Sequence, residues 1–266
     1  MGRSALGALV RLVAYVGFAF LCMPVQVAGL IASPTLARHW PVVFHRACLR
    51  ILGVAVETRG TMIRKGPVLF VANHQSYLDI LVLGSLVPGS FVSKADVKDW
   101  PFFGLLAKLQ RSVFVERRRH QAKENRHEIE TRLAKGDSLI LFPEGTSSDG
   151  NRVLGFKSAL LSVAERAAGS TALPIQPVSV AYVSVNGLPI GRTWRPFVAW
   201  YGDMNLAGHL WSFLRLGPVR VVVAFHAPIS LHASGSRKAL ATTCQQRVAQ
   251  GLAHTLRPPL DPLPRP

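Results

Sequence analysis

Apolar and polar positions along this chain follow two regimes. Residues 12–32 contain no charged side chain, a length that matches the roughly 20 residues a helix needs to cross a hydrocarbon core. Gly17, Pro24, Gln26 and Gly29 interrupt the run, so two arrangements of residues 1–52 stand side by side. One is a single kinked spanning helix. The other is a first helix to about residue 23 and a second continuing towards residue 52, lying partly within one leaflet, with Arg38, His39, His45, Arg46 and Arg50 in the head-group layer. Arg3 and Arg11 precede the apolar stretch without a small-residue cleavage site after it, which predicts a retained anchor rather than a removed signal.

Beyond Gly53 the pattern shortens. Apolar or alternating runs at 54–58, 68–72, 90–93, 112–115, 138–142, 175–183, 196–201 and 219–225 predict strands. Segments 78–86, 102–109, 118–135, 157–168, 206–216 and 236–256 predict helices between them. Strands alternating with helices imply an α/β fold, a sheet covered by helices on both faces. Residues 53–256 then form the main domain, and the proline-rich 257–266 a disordered tail.

Composition adds a membrane to this picture. A chain of 266 residues holds one main domain and an appendage, and 49% hydrophobic against 17% charged residues is more apolar than most soluble proteins. The net charge of +17 attracts anionic partners, either acidic lipid head groups or nucleic acid. The apolar excess favours lipid, and no recognition motif or exposed aromatic interleaving supports nucleic acid. Cys22, Cys48 and Cys244 show neither CxxC spacing nor an even count, which leaves reduced thiols and no metal site.

The chemistry concentrates after the strand at 68–72, in Asn73-His74-Gln75-Ser76-Tyr77-Leu78-Asp79. On one continuous helix, residues five apart diverge by about 140°. His74 and Asp79 therefore meet only if the histidine lies on the turn and the acid in the first turn of the following helix. An Asp bonded to one ring nitrogen fixes the tautomer and leaves the other nitrogen to take a proton from a hydroxyl. The alternative is a loop histidine beside a helix-capping acid. Two further strand ends carry reactive groups: Glu116-Arg117, followed by Arg118 and Arg119, and Phe142-Pro143-Glu144-Gly145-Thr146-Ser147-Ser148, whose turn offers amides and hydroxyls to an anion. Alone, each is ordinary: a solvated arginine face, a dipole-complementing Glu144, capping serines. Together on the carboxyl rim of one sheet they describe a site that transfers a group to a phosphate-bearing alcohol.

These blocks resemble the glycerolipid acyltransferases typified by bacterial 1-acylglycerol-3-phosphate acyltransferase. NHQSYLD, SVFVERR, FPEGTSS and LPIQPVSV are similar to that family's four motifs in its order, across roughly 68–180, and Lys94 with Trp100-Pro101-Phe102-Phe103-Gly104 resembles its segment between the first two. The resemblance implies a mixed, largely parallel sheet of the glycerolphosphate acyltransferase type. It implies His74 as base oriented by Asp79, and an acceptor held by Arg117, Glu144, Gly145, Thr146 and Lys94. It further implies acyl-CoA or acyl carrier protein as co-substrate, membrane lipids as partners, no cofactor and no metal, and a place on the cytoplasmic face of a bacterial inner membrane. One departure stands out: Arg111 holds the position where the second block usually has glycine. The four blocks together favour transfer to the sn-2 hydroxyl of 1-acylglycerol-3-phosphate, giving phosphatidic acid. FPEGTSSDGNRVLGFKSAL and the later WYGDM also resemble the branch that acylates lyso-ornithine lipid. A non-catalytic lipid-binding protein is the reading of a different class, and the presence of both His74 and Asp79 speaks against it.

Overall fold

The computed structural model describes residues 4–115, 122–162 and 173–257. Helices α1 (Ala5–Ala32) and α2 (Pro34–Leu52) precede β1 (Val54–Gly60) and β2 (Leu69–Ala72); then come α3 (Leu78–Gly84), β3 (Gly89–Lys94), α4 (Phe103–Leu109), β4 (Val113–Val115), α5 (Ala122–Ala134) and β5 (Ser138–Leu141). The chain continues through β6 (Ile175–Val185), β7 (Leu188–Pro189), α6 (Leu206–Leu214), β8 (Val219–Phe225), α7 (Leu231–Ser234) and α8 (Arg237–Leu256).

The strands form one sheet in the order β1-β8-β6-β2-β5-β3-β4, with β7 paired to β6. All its pairings are parallel except those of β6 with β7 and with β8. The expected mixed, largely parallel sheet is therefore present, and β2, β5, β3 and β4 deliver their carboxyl ends to one rim. Side chains alternate across it with the period of two that strands impose. Val68, Phe70 and Ala72 enter the core shared with α1, α2, α3 and α6, whereas Leu69 and Val71 enter the one beneath α5 and α8.

Three expectations are corrected. The segment 196–201 is not a strand: a 3-10 turn covers Arg192–Phe197, and Pro196 within it cannot donate to a ladder. Of the helix expected at 157–168, the structure gives a 3-10 turn at Ser158–Leu161, with residues 163–172 outside the described residues. The N-terminal break falls not near residue 23 but at Ser33, because α1 runs through Pro24 to Ala32. Ser33 accepts the Leu36 N–H and Pro34 occupies the first turn of α2, a start signal stronger than the interruption inside α1.

Both N-terminal helices are built into the domain. In α1, Ala8, Tyr15, Ala19, Cys22, Gln26 and Gly29 are buried on one stripe, while Leu6, Val13, Leu21 and Ile31 on the others are exposed. Contacts run along the length of that stripe: Arg11 donates to Leu214 O, Tyr15 packs on Phe102, Trp40 donates to Cys22 O and Gln26 to Leu109 O. Three basic residues of α2 also make contacts within the domain, while His39, Arg46 and Arg50 are exposed. His45 is buried with Nε2 2.8 Å from Gln110 Oε1, Arg46 donates to Ser85 O, and Arg38 lies 2.7 Å from the buried Asp137. Asp137 is also paired with Arg111, which adopts φ 63. The departure from glycine thus sits at a left-handed position, costing roughly 1–2 kcal/mol in an L-residue, and places an arginine where it closes an ion pair with α2's neighbour.

Candidate active site

β2 ends where Asn73 takes over its pairing with a side chain. The Asn73 amide donates to Val180 O (3.0 Å), and its Oδ1 accepts the Val180 N–H (2.8 Å), so β6 is satisfied while the backbone turns away. Gln75 continues the tie, donating through its side chain to Val180 O and accepting the Trp200 N–H at 2.8 Å. The turn then enters α3 with Asp79 in its first turn.

Asp79 is fully buried, and four donors converge on it. Oδ2 accepts the amides of Gln75 (2.7 Å) and Ser76 (2.9 Å) and lies 2.9 Å from His74 Nδ1. Oδ1 accepts the Tyr182 hydroxyl at 2.8 Å, from the middle of β6. Burial and the neighbouring Asp79 hold that phenol well above its ordinary range, which keeps it a donor. The carboxylate can only accept, so Nδ1 carries the ring proton and Nε2 the lone pair. The imidazole stacks on Phe142 at a centroid distance of 4.2 Å and lines a cavity of about 440 Å³.

Glu144 lies under the same turn. Its Oε1 accepts the His74 N–H (2.9 Å) and its Oε2 the Leu154 N–H (3.1 Å), which joins the turn after β2 to the one after β5. Burial lifts its carboxyl to about 8; the two amides pull the other way and the Asp79 charge adds to the rise. A third tie runs from the Ser148 N–H to His74 O (2.8 Å). Gly145 closes the turn at φ 68, a left-handed conformation in which glycine is unstrained.

The structure brings most of the sequence-derived site together. His74, Gly145, Thr146 and Lys94 line one cavity, with Asp79 and Glu144 bonded behind it. Arg117 lies outside the described residues. The cavity continues away from this rim between the sheet and the N-terminal helices, past Tyr15, Phe44, Phe103, Leu106 and Leu210, and its wall there is predominantly apolar. A wall of this kind is suited to an apolar group.

Sequence reasoning missed Tyr182, whose bond to Asp79 spans 103 residues. Its signal was a lone phenol in a strand apolar on both faces, since a buried tyrosine hydroxyl needs a partner. Phe142, which positions the ring by stacking, and the aromatic wall of Tyr77, Trp100 and Trp200 were also passed over as side chains.

A model of the acyltransferase family matches residues 53–181. The lyso-ornithine lipid O-acyltransferase of Brucella abortus is 44% identical over 239 residues, covering 88% of this chain and 90% of that protein. The 1-acyl-sn-glycerol-3-phosphate acyltransferase of Neisseria gonorrhoeae is 32% identical, covering 68% of each. The crystal structure of the 1-acyl-sn-glycerophosphate acyltransferase from Thermotoga maritima matches 94% of both chains with a TM-score of 0.70 at 22% identity, which is a likeness of fold.

Proposed function

The chain belongs to the acyltransferase family, and from that premise we propose that it moves a fatty acyl group from acyl-CoA or acyl carrier protein to the hydroxyl of a lyso-ornithine lipid. The observation that carries the choice of acceptor is the 44% identity to a lyso-ornithine lipid O-acyltransferase across nearly its full length, against 32% over 68% for the phosphate-acceptor relative. It reverses the order in which motifs alone rank the two acceptors, 1-acylglycerol-3-phosphate becoming the second reading.

In the proposed reaction, His74 Nε2 takes the proton of the acceptor hydroxyl while Asp79 holds Nδ1–H and stabilises the imidazolium. The oxygen attacks the thioester carbonyl carbon, a C–O bond forms and the C–S bond breaks. The departing thiolate takes the proton back from His74. Transfer is direct, because the chain carries no G-x-S-x-G elbow. Gly145, Thr146 and Lys94 face the acceptor's head, Arg117 is assigned to bind it by its motif, Glu144 supports the turn it braces, and the apolar cavity receives a chain. No cofactor beyond the acyl donor enters this scheme. Residues 1–52 form the membrane-associated part and 53–256 the transferase domain, which works at the cytoplasmic face of the inner membrane.

The test is acyl transfer by the purified full chain in vesicles, with lyso-ornithine lipid and lysophosphatidic acid titrated separately against each donor. Saturable acylation of the ornithine lipid is expected. Saturation by lysophosphatidic acid alone would overturn the acceptor and leave the transferase standing.

A further inference from the structure

Three aromatic side chains stand on the cavity wall with His74 and have no part in the proposed proton transfer. Trp200 meets Tyr77 with ring centroids 6.1 Å apart at 65°, and meets Trp100 at 6.1 Å and 87°, so the three form a corner of nearly perpendicular rings lining the same cavity. The polar atoms of Trp200 and Tyr77 are engaged elsewhere. The Trp200 indole N–H donates to Met204 O (2.8 Å), and its backbone N–H to Gln75 O ties it to the catalytic turn. Tyr77 Oη lies 3.1 Å from His209 Nδ1, and His209 Nε2 lies 3.1 Å from Pro196 O. A carbonyl only accepts, so Nε2 carries the proton and the tyrosine donates to Nδ1. What Tyr77 and Trp200 offer the cavity is therefore their π systems, and Trp100 adds its ring at right angles to that of Trp200.

The segments that carry the two tryptophans also carry carboxylates. Asp99 immediately precedes Trp100, and Asp203 follows Trp200 by three positions; both are exposed, and among the described residues neither has an ion-pair partner. Both acids lie outside the cavity's lining, so they set the charge of the two segments and not of the pocket wall itself. Perpendicular aromatic faces on a cavity wall are the chemistry of a cation site. We propose that Tyr77, Trp100 and Trp200 receive the ammonium group of the acceptor's head, so that the site selects an aminolipid over a phosphate-bearing one.

This inference rests on the lyso-ornithine reading. An N-acylated ornithine keeps one carboxylate and one ammonium, and the cavity presents Lys94 as well as the aromatic corner. Binding both charges orients the head relative to His74, where a phosphate would meet the lysine and find nothing in the aromatic corner.

The experiment compares lyso-ornithine lipid with its N-acetylated form, which keeps the hydroxyl and carboxylate and loses the positive charge. The full chain in vesicles should use the free amine with kcat/KM about five- to thirtyfold higher, the range of a cation over desolvated rings. In Trp100→Leu and Trp200→Leu that ratio should fall towards one through the KM of the free amine, with the KM of the donor unmoved. Fluorinated tryptophan, which weakens the ring face and preserves its packing, should raise the same KM in step with fluorination. It keeps the test decisive if Trp200→Leu does not fold. Equal losses for both lipids, or no preference in the unsubstituted protein, would overturn the proposal while lyso-ornithine acylation itself still stood. Loss of vesicle binding in place of the KM change would make the corner a membrane contact and overturn it as well. Failure to acylate any ornithine lipid would instead remove the reading beneath it.

Discussion

The His74 turn and the N-terminal helix pair lie on the same face of the sheet and are held by different balances of directional bonds and buried area. In the turn, the buried Asp79 accepts four hydrogen bonds and Glu144 joins two loops through one amide on each oxygen. In the helix pair, Gln26 Oε1 and His45 Nδ1 are buried without a hydrogen-bond partner among the described residues, the bonds that are made are scattered along its length, and area carries the rest: Phe44, Cys48, Leu49 and Leu52 enter the core while Leu6, Leu21 and Ile31 stay bare. Directional bonds fix one ring nitrogen to a fraction of an ångström. Area fixes a helix only to the surface it covers. Damage to the first region should therefore reach chemistry before stability, and damage to the second should do the reverse.

The largest effect expected is from His74→Ala, which should lower turnover by at least about 10²–10⁴ with the melting temperature unmoved. A variant that melts early would place this histidine among the structural residues and blur the contrast. The next effect belongs to the helix pair. Burial lowers His45 from its ordinary 6.5 to about 4, with its Gln110 bond opposing the fall. Below 6.5 the unfolded chain takes up a proton that the folded chain refuses until about 4, so stability is intact above 6.5 and declines as pH falls through that window. The full loss is about 3 kcal/mol. Denaturant titrations at stepped pH should show this slope, and His45→Gln should flatten it without altering the Asp79 geometry.

Tyr182→Phe crosses the boundary between the regions. It leaves Asp79 Oδ1 without its donor, at about 1–3 kcal/mol, and both stability and turnover should fall, measured side by side by denaturation and acyl transfer. Lower stability with unchanged turnover would make Tyr182 a scaffold only. The smallest effect on the fold is from Leu21→Ser, at 74% exposure. Stability should stay within about 0.5 kcal/mol, while partitioning onto vesicles weakens several-fold. Deleting residues 1–52 cannot serve this purpose, because it would strip Leu49 and Leu52 from the core together with the exposed face of α1.

What the sequence made legible was local. His74 and Asp79 are five residues apart, and their meeting followed from helical azimuth; the turn at 142–148 followed from Pro143 and Gly145. Period-two runs placed most strands within two residues. Misses arose where a partner far along the chain decides the outcome. Tyr182 reaches Asp79 across the sheet, His45 looks like a head-group residue until Gln110 covers it, and 196–201 reads as apolar strand until Arg195 turns to donate to Gly150 O at 2.8 Å. The break at Ser33 is readable from its Ser-Pro pair, a stronger stop-and-start signal than Pro24 inside α1.

The pairing of β1 with β8 carries a consequence for how the chain is made. Val54 aligns with Val219, and among the described residues the strand that follows the helix pair has no other neighbour in the sheet. Translation at about 5–20 residues per second leaves β1, and the apolar helices behind it, waiting on the order of ten seconds or more for the strand that completes their side of the fold. A segment as greasy as α1 would aggregate with its neighbours over such an interval in water. A bilayer that accepts the helix as it emerges would turn the delay into an ordered wait and make the membrane a participant in folding.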